Sequence, residues 1–317
     1  MVPMQAMVEL DRLSKRFGPV EAVRDVSFSL ERGEVLGFLG PNGAGKTTTM
    51  RMLTGFLAPS AGRASIMGHD VERDPIAARA VTGYLPEGAP LYGDMSPLAL
   101  LRFIADARGL GDRSARIDRA IARTQLAEVA HRPIETLSKG FKRRVGLAAA
   151  ILHDPPVLIL DEPTDGLDPN QKHEVRALIA EMAQDKAIVV STHILEEVPA
   201  ICTRAIVIAQ GRIVADATPD ELAACSRFEN AVRVRLAPDV ATVLEARLRA
   251  RPEVREVSVS PGRADAVDVL VVPHDARPID ALVRDEITLA ELPVEELRVE
   301  RGRLDDVFRA LTTTATN

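Results

Sequence analysis

The stretch GPNGAGKTT, Gly40 to Thr48, decides how the rest of the chain is read. It follows EVLGFLG, an apolar run of strand character, and leads into a helical pattern from Thr47 to about Leu57. A strand, a glycine-rich loop ending in Gly-Lys-Thr and a helix, in that order, form the P-loop pattern. Gly40, Gly43 and Gly45 leave the backbone N–H groups room to wrap phosphate oxygens, and Pro41, Asn42, Ala44 and Thr48 complete the wrap. Lys46 is placed to reach β- and γ-phosphates, and the Thr47 hydroxyl to ligate Mg2+.

The second half of such a site lies downstream. PVLILDEP, from Pro156, is a continuous apolar strand that ends in Asp161 and Glu162. A carboxylate at Asp161 can take Mg2+ through water, and Glu162 can accept a proton from an attacking water. Neighbouring strand residues point to opposite sides, so both serve one site only where the strand is ending. KAIVVSTH is another continuous apolar strand. It sets His193 at a strand's carboxyl end, the edge where open parallel sheets bind ligands, and a γ-phosphate contact is expected of it. Continuous strands separated by helices indicate a parallel sheet covered on both faces.

Outward from this centre, VELDRLSKRF and AVRDVSFSL alternate as antiparallel strands do. Helical patterns cover residues 98–108 and 114–130, and Phe141, Val145, Ala148 and Leu152 share one face of a further helix. DPNQKHEVRALIAEMAQ reads as a helix, and AIVIAQGRIVADA as a hairpin turning at Gln210-Gly211. Residues 1–226 are thus expected to form one α/β domain, with a helical subdomain at about 84–155. Residues 227–317 run strand, helix, strand, strand, helix, strand and closing helix, the split βαβ pattern of a small ferredoxin-like α+β domain. The sequence holds one P-loop, hence one nucleotide site at most.

Composition excludes several classes. A net charge of −6 argues against a protein built to neutralise a nucleic-acid backbone. Cys202 and Cys225 form neither metal-ligand spacing nor a disulfide framework, which suits a reducing cytoplasm. The opening MVPMQAMVEL lacks a charged leader with a long apolar run, so no export signal is expected. The apolar windows VGLAAAIL and PVLIL are interrupted by His153, Asp154, Pro155 and Pro156, short of the ~20 residues a membrane span needs. A membrane role would come through a partner.

TLSKGFKRR, Thr136 to Arg144, poses a puzzle. A helix starting at Ser138, Lys139 and Gly140 already carries partial positive charge there, and Lys142, Arg143 and Arg144 add three cations. A docked anion resolves the conflict. A solvated basic face for the three cations is the equal alternative.

In series, GPNGAGKTT, LSKGF, LILDEP, GLDP and the His193 of STH resemble the ATPase subunits of ABC transporters, over roughly residues 8–222. The resemblance implies a P-loop NTPase fold that binds ATP with Mg2+ and hydrolyses it, with Glu162, His193 and Lys46 catalytic. It also implies a head-to-tail dimer in which each ATP is shared between one subunit's P-loop and the other's signature helix. Ser138, Lys139 and Gly140 would then meet the partner's γ-phosphate, and Leu167 and Asp168 would couple the two sites. Glu87, in GYLPEGAPLY, stands where the family usually offers Mg2+ a glutamine. Phe17 stands where an aromatic usually stacks on adenine, with core packing as its other reading. LSKGF departs from the usual LSGGQ at Lys139 and Phe141. Both variant loops, and the closing LRVERGRLDDVFRALT, resemble the ABC-2-type export branch, including its gliding-motility-associated and drug-export subgroups. That branch implies a cytoplasmic subunit, peripheral on the inner face of the membrane, that grips a separate permease through residues 84–108. The alternatives are a soluble ABC ATPase of DNA maintenance or translation, and a weakly hydrolysing nucleotide-gated interaction module.

Overall fold

The computed structural model describes residues 6–88, 90–263 and 265–314, so the first half of MVPMQAMVEL, on which the leader expectation rests, lies outside the described residues. Contacts divide the chain into two units. The second runs from Thr218 to Leu311, beginning ahead of the composition shift at Ser226.

The first unit opens with β1 (Val8–Phe17), β2 (Val20–Leu30) and β3 (Val35–Leu39), followed by the P-loop and α1 (Lys46–Leu53). Next come β4 (Ala61–Ile66), β5 (His69–Asp70), α2 (Pro75–Ala80) and β6 (Thr82–Leu85). Three helices follow: α3 (Pro97–Ala107), α4 (Arg113–Arg123) and α5 (Lys139–Ile151). The unit then continues through β7 (Val157–Asp161), α6 (Pro169–Ala183), β8 (Ala187–Thr192), α7 (Val198–Ile201), β9 (Arg204–Ala209) and β10 (Arg212–Ala217).

These strands make two sheets. One has the order β2-β1-β4-β5 and is antiparallel. The other has the order β10-β9-β3-β8-β7-β6 and is parallel except for the β9–β10 hairpin. Every residue of β3, β7 and β8 is buried, as their unbroken apolar runs require. Their registers pair Phe38 with Ser191 and Asp161 with Ser191. The P-loop, the Asp161-Glu162 pair and His193 therefore leave the sheet at one edge. Helices α3, α4 and α5 bury a core of their own around Leu101, Leu126, Val145 and Leu152, which makes them a helical subdomain.

Two helices end earlier than their periodicity suggests, both for local reasons. α1 stops at Leu53 because Gly55 turns left-handed at φ 71°. Phe56 N then donates to Arg51 O at 2.8 Å and Gly55 N to Met52 O at 3.1 Å, a Schellman closure. α4 stops at Arg123, not 130: the Thr124 hydroxyl donates back to Ala120 O and Gln125 takes φ 54°.

The second unit holds α8 (Pro219–Ala224), β11 (Val232–Leu236), α9 (Pro238–Arg249), β12 (Val254–Pro261) and β13 (Val267–Pro273), then α10 (Asp280–Leu289) and β14 (Val294–Val299). The closing α11 spans Leu304–Thr314. The sheet is antiparallel in the order β12-β13-β11-β14, the arrangement the split βαβ pattern calls for. β11 shows why: Val232, Val234 and Leu236 are buried among Leu244 and Leu248 of α9 and Val283 of α10. Its alternate residues Arg233 and Arg235 take the other face, where they pair with Glu300, Asp268 and Glu296.

Candidate nucleotide-binding site

The loop from Gly40 to Gly45 is shaped by contacts as well as by what it faces. A side chain on Gly40 would lie 2.5 Å from Ile208 O of β9, so the P-loop leaves β3 too close to its neighbour for any Cβ. Gly45 sits at φ 110° as the N-cap of α1, a conformation that favours glycine. No side chain caps this helix, so its first N–H groups turn to the cleft in front of it, the arrangement that receives phosphate.

That cleft holds about 520 Å3. Asn42, Gly43, Gly45, Lys46, Thr47 and Thr48 form one wall, and Glu87, Glu162 and His193 come in from the ends of β6, β7 and β8. Asn42 and His193, 151 residues apart in sequence, thus meet in one space. Lys46 is buried and donates Nζ to Gly40 O at 2.6 Å and to Pro41 O at 3.2 Å. Burial lowers its pKa, and Glu162, Asp161 and Glu87 act in the opposite direction.

Glu162 follows β7 in a left-handed conformation, φ 53°, which is how consecutive carboxylates serve one site. Its Oε2 lies 2.8 Å from His193 Nδ1. A carboxylate oxygen accepts, so His193 Nδ1 is the donor of that bond. Asp161 Oδ1 accepts from the Ser191 hydroxyl, while its Oδ2 is buried with no hydrogen-bond partner. A buried carboxylate oxygen without a donor, near enough to Lys46 to act on its charge, fits a divalent cation held by few protein ligands. Among the described residues no three His, Cys, Asp or Glu side chains cluster as a metal site of their own.

The signature residues are not part of this cleft. Ser138 caps α5, accepting from Phe141 N at 3.3 Å. Lys139 pairs with Asp165 at 2.8 Å, and that bond lowers the Asp165 pKa. A side chain on Gly140 would meet Gln171 Oε1 of α6 at 2.5 Å. Leu167 is buried, and Asp168 caps α6 in a capping box with Gln171. Phe17 ends β1 with 49% of its surface exposed and Lys15 Nζ 5.3 Å from its ring centre, which sets aside the core-packing reading.

Arg143 and Arg144 correct both readings of TLSKGFKRR: they form neither a solvated face nor an anion dock. Arg144 is buried against Gln125 and Glu174. Arg143, 9% exposed, donates to the carbonyls of Pro86, Asp161 and Glu162. Burial lowers its pKa, offset by Asp161, Asp165, Glu162 and Glu87. Lys142 donates to Glu135 O. Sequence reasoning also missed Ser191 as the holder of Asp161, and Glu197, which is buried and accepts from the Thr164 hydroxyl at 2.6 Å. Ser191 was legible in STH; nothing near Glu197 in sequence points to Thr164.

Comparison with known proteins agrees with this geometry. The model of the family described as "ABC transporter" matches residues 23–165. Nod factor export ATP-binding protein I of Paraburkholderia xenovorans (strain LB400) is 33% identical over 97% of this chain and 97% of its own. YbhF of Escherichia coli (strain K12), named a probable multidrug ABC transporter ATP-binding protein, is 37% identical over 71% of this chain, which spans 39% of YbhF. A solved ATP-binding subunit of an ABC transporter superposes with a TM-score of 0.63 at 32% identity, covering 68% of this chain and 91% of the other. With a P-loop, Glu162 and a histidine converging on one cleft, and a relative alike along nearly its whole length, the chain belongs to the ABC transporter ATP-binding family.

Proposed function

We propose that this chain is the ATP-hydrolysing subunit of an ABC-2-type export system and drives a separate membrane permease. The observation that carries the reading is the single cleft in which Lys46, Glu87, Glu162 and His193 face the uncapped start of α1. In that cleft the triphosphate lies on the N–H groups of the P-loop, and the Lys46 ammonium balances charge on the β/γ oxygens. Glu162 orients a water toward the γ-phosphorus and takes its proton, and the hydrogen bond from His193 holds the carboxylate in place. Thr47, Asp161 and Glu87 are the residues that would hold Mg2+, which supplies further charge neutralisation of the phosphates.

The second half of each site comes from another copy. Ser138 Oγ accepts from its own helix, which leaves its hydroxyl proton to donate to a phosphate. Gly140 N–H and the α5 dipole add to that attraction. Ser138 and Gly140 lie outside their own P-loop cleft, which supports a head-to-tail dimer closed by ATP, with Leu167 and Asp168 at the joint. The half-exposed Phe17 ring stacks on adenine. Among the described residues no helix is long and apolar enough to cross a membrane, so the work is delivered through a partner at the inner membrane face. Phe56, Tyr92 and Phe103 are exposed near the 84–108 segment and offer that partner an apolar docking surface. The export names of the relatives alike along most of this chain support the branch.

The test is Glu162→Gln. The variant should bind ATP as the wild type does, lose turnover, and run at dimer mass in size exclusion with ATP. Undiminished hydrolysis would remove Glu162 from its role. A monomer throughout, with specific activity independent of protein concentration, would remove the shared site.

A further inference from the structure

Helix α5 runs from KGFKRR into VGLAAAI, apolar on every side, so cations at its start are carried inward with it. For Arg143 the destination is the end of β7. Its Nη2 donates to the carbonyls of Asp161 and Glu162, and its Nη1 to Pro86 O at 2.8 Å. Two of these acceptors belong to the point where the β7 ladder stops, and the third to the turn that presents Glu87. Buried carbonyls need donors, and one planar fork supplies three carbonyls from two different segments.

The Glu162 backbone depends on such support. A non-glycine residue at φ 53° is strained and persists only where its surroundings hold it. On one side, Glu162 N donates to Ser191 O at 3.1 Å and to Ser191 Oγ at 3.2 Å. On the other, the Arg143 guanidinium grips Glu162 O. The peptide is pinned between β8 and α5, and its carboxylate points to His193.

We propose that Arg143 is a positioning residue: it locks the left-handed Glu162 backbone and ties the Glu87 turn and helix α5 to the catalytic carboxylate. A shift of the signature helix or of the Glu87 loop is thereby felt at Glu162 through one side chain. The inference rests on the ATPase reading above.

The experiment uses the full chain as wild type, R143K, R143Q and R143A, each alone and with E162Q. R143K keeps the charge and loses the fork; R143Q keeps donors and loses the charge. Fluorescent-nucleotide titration should give ATP affinities within about threefold of wild type, while kcat of R143K and R143Q falls by about 10²-fold, the scale of a misplaced catalytic group. Added to E162Q, R143K should change the residual rate by less than about twofold, because both act through one carboxylate. The proposal is overturned by kcat within about threefold of wild type in R143K or R143Q, by affinity falling as far as kcat, or by a full multiplicative loss on E162Q. Thermal unfolding reports folding: an unfolded R143A leaves R143K and R143Q to decide, and failure of both to fold overturns the proposal by making Arg143 a core residue only. A wild type without hydrolysis ends the ATPase reading; an active wild type with indifferent Arg143 variants ends this inference alone.

Discussion

Gly140→Ala separates what α5 needs to fold from what a partner's nucleotide needs. Gly140 is the second residue of the helix, and an added methyl would lie 2.5 Å from Gln171 Oε1 and 3.3 Å from Leu167 Cδ2. The closer contact is with the end of a flexible side chain, so Gln171 swings aside. It gives up its 3.4 Å contact with Asp168 N, while Gln171 N stays on the Asp168 carboxylate at 2.9 Å. Losing the weaker half of that capping box costs about 0.5 kcal/mol. Replacing glycine in a first helical turn returns about the same amount through propensity and unfolded-state entropy. Stability should therefore hold within about 0.5 kcal/mol, a Tm change of roughly 2 °C or less. Turnover should not hold, because the methyl crowds the N–H assigned to the partner's γ-phosphate, and loss of one such donor costs about 10²–10³ in kcat. The assay pairs thermal unfolding without nucleotide with phosphate release at several protein concentrations. A variant that melts and hydrolyses like wild type refutes the shared-site reasoning.

Lys46→Met removes the cation that faces Glu162, Asp161 and Glu87, so nucleotide affinity measured by calorimetry should fall about tenfold or more. Glu197→Ala strips the Thr164 hydroxyl and Lys172 of a buried partner and should cost about 2–3 kcal/mol in urea unfolding, where Glu197→Gln costs less. Burial, then Arg108, pushes His153 from 6.5 down to about 4, so the unfolded chain takes up its proton first. Stability should fall between pH 6.5 and 4 by about 3 kcal/mol from this group, and His153→Gln should flatten that slope in pH-dependent unfolding. Arg251 and Arg247 hold the Glu286 carboxyl below its ordinary 4.5, a contribution present above that pH and lost as pH falls through the lower folded value. Glu286→Gln should flatten the acid limb of unfolding of the second unit.

Most of the fold was legible because its signals were strong and local. Unbroken runs such as VLILD and AIVVST have few options besides buried parallel strands, and the GKTT that follows VLGFL fixes which strand carries the loop. The second unit was readable for the opposite reason: VRVRL alternates so regularly that its two faces separate at once. The ends of α3 and α6 were legible to within a residue, and those of α1 and α4 were not. α1 and α4 stop at single left-handed residues, Gly55 and Gln125, and periodicity is blind to the sign of one φ.

At the site, the groups proposed to serve the nucleotide could be picked out from sequence motifs, and the groups that hold them could not. Lys46, Thr47, Asp161, Glu162 and His193 belong to short motifs whose residue types are dictated by the chemistry. Arg143 belongs to a fold requirement: two carbonyls at a strand end and one in a turn, brought together from positions 57 and 19 residues away or less. Charge alone suggested that three cations at a helix start want an anion. The apolar run beginning at Val145 carried the contrary signal, because a helix buried all round has no outward face on which to display two arginines. A guanidinium keeps its charge when buried, so its burial is tolerated where it finds acceptors and nearby carboxylates. The end of β7 and the turn beside it offer Arg143 both, and that is why it is found there.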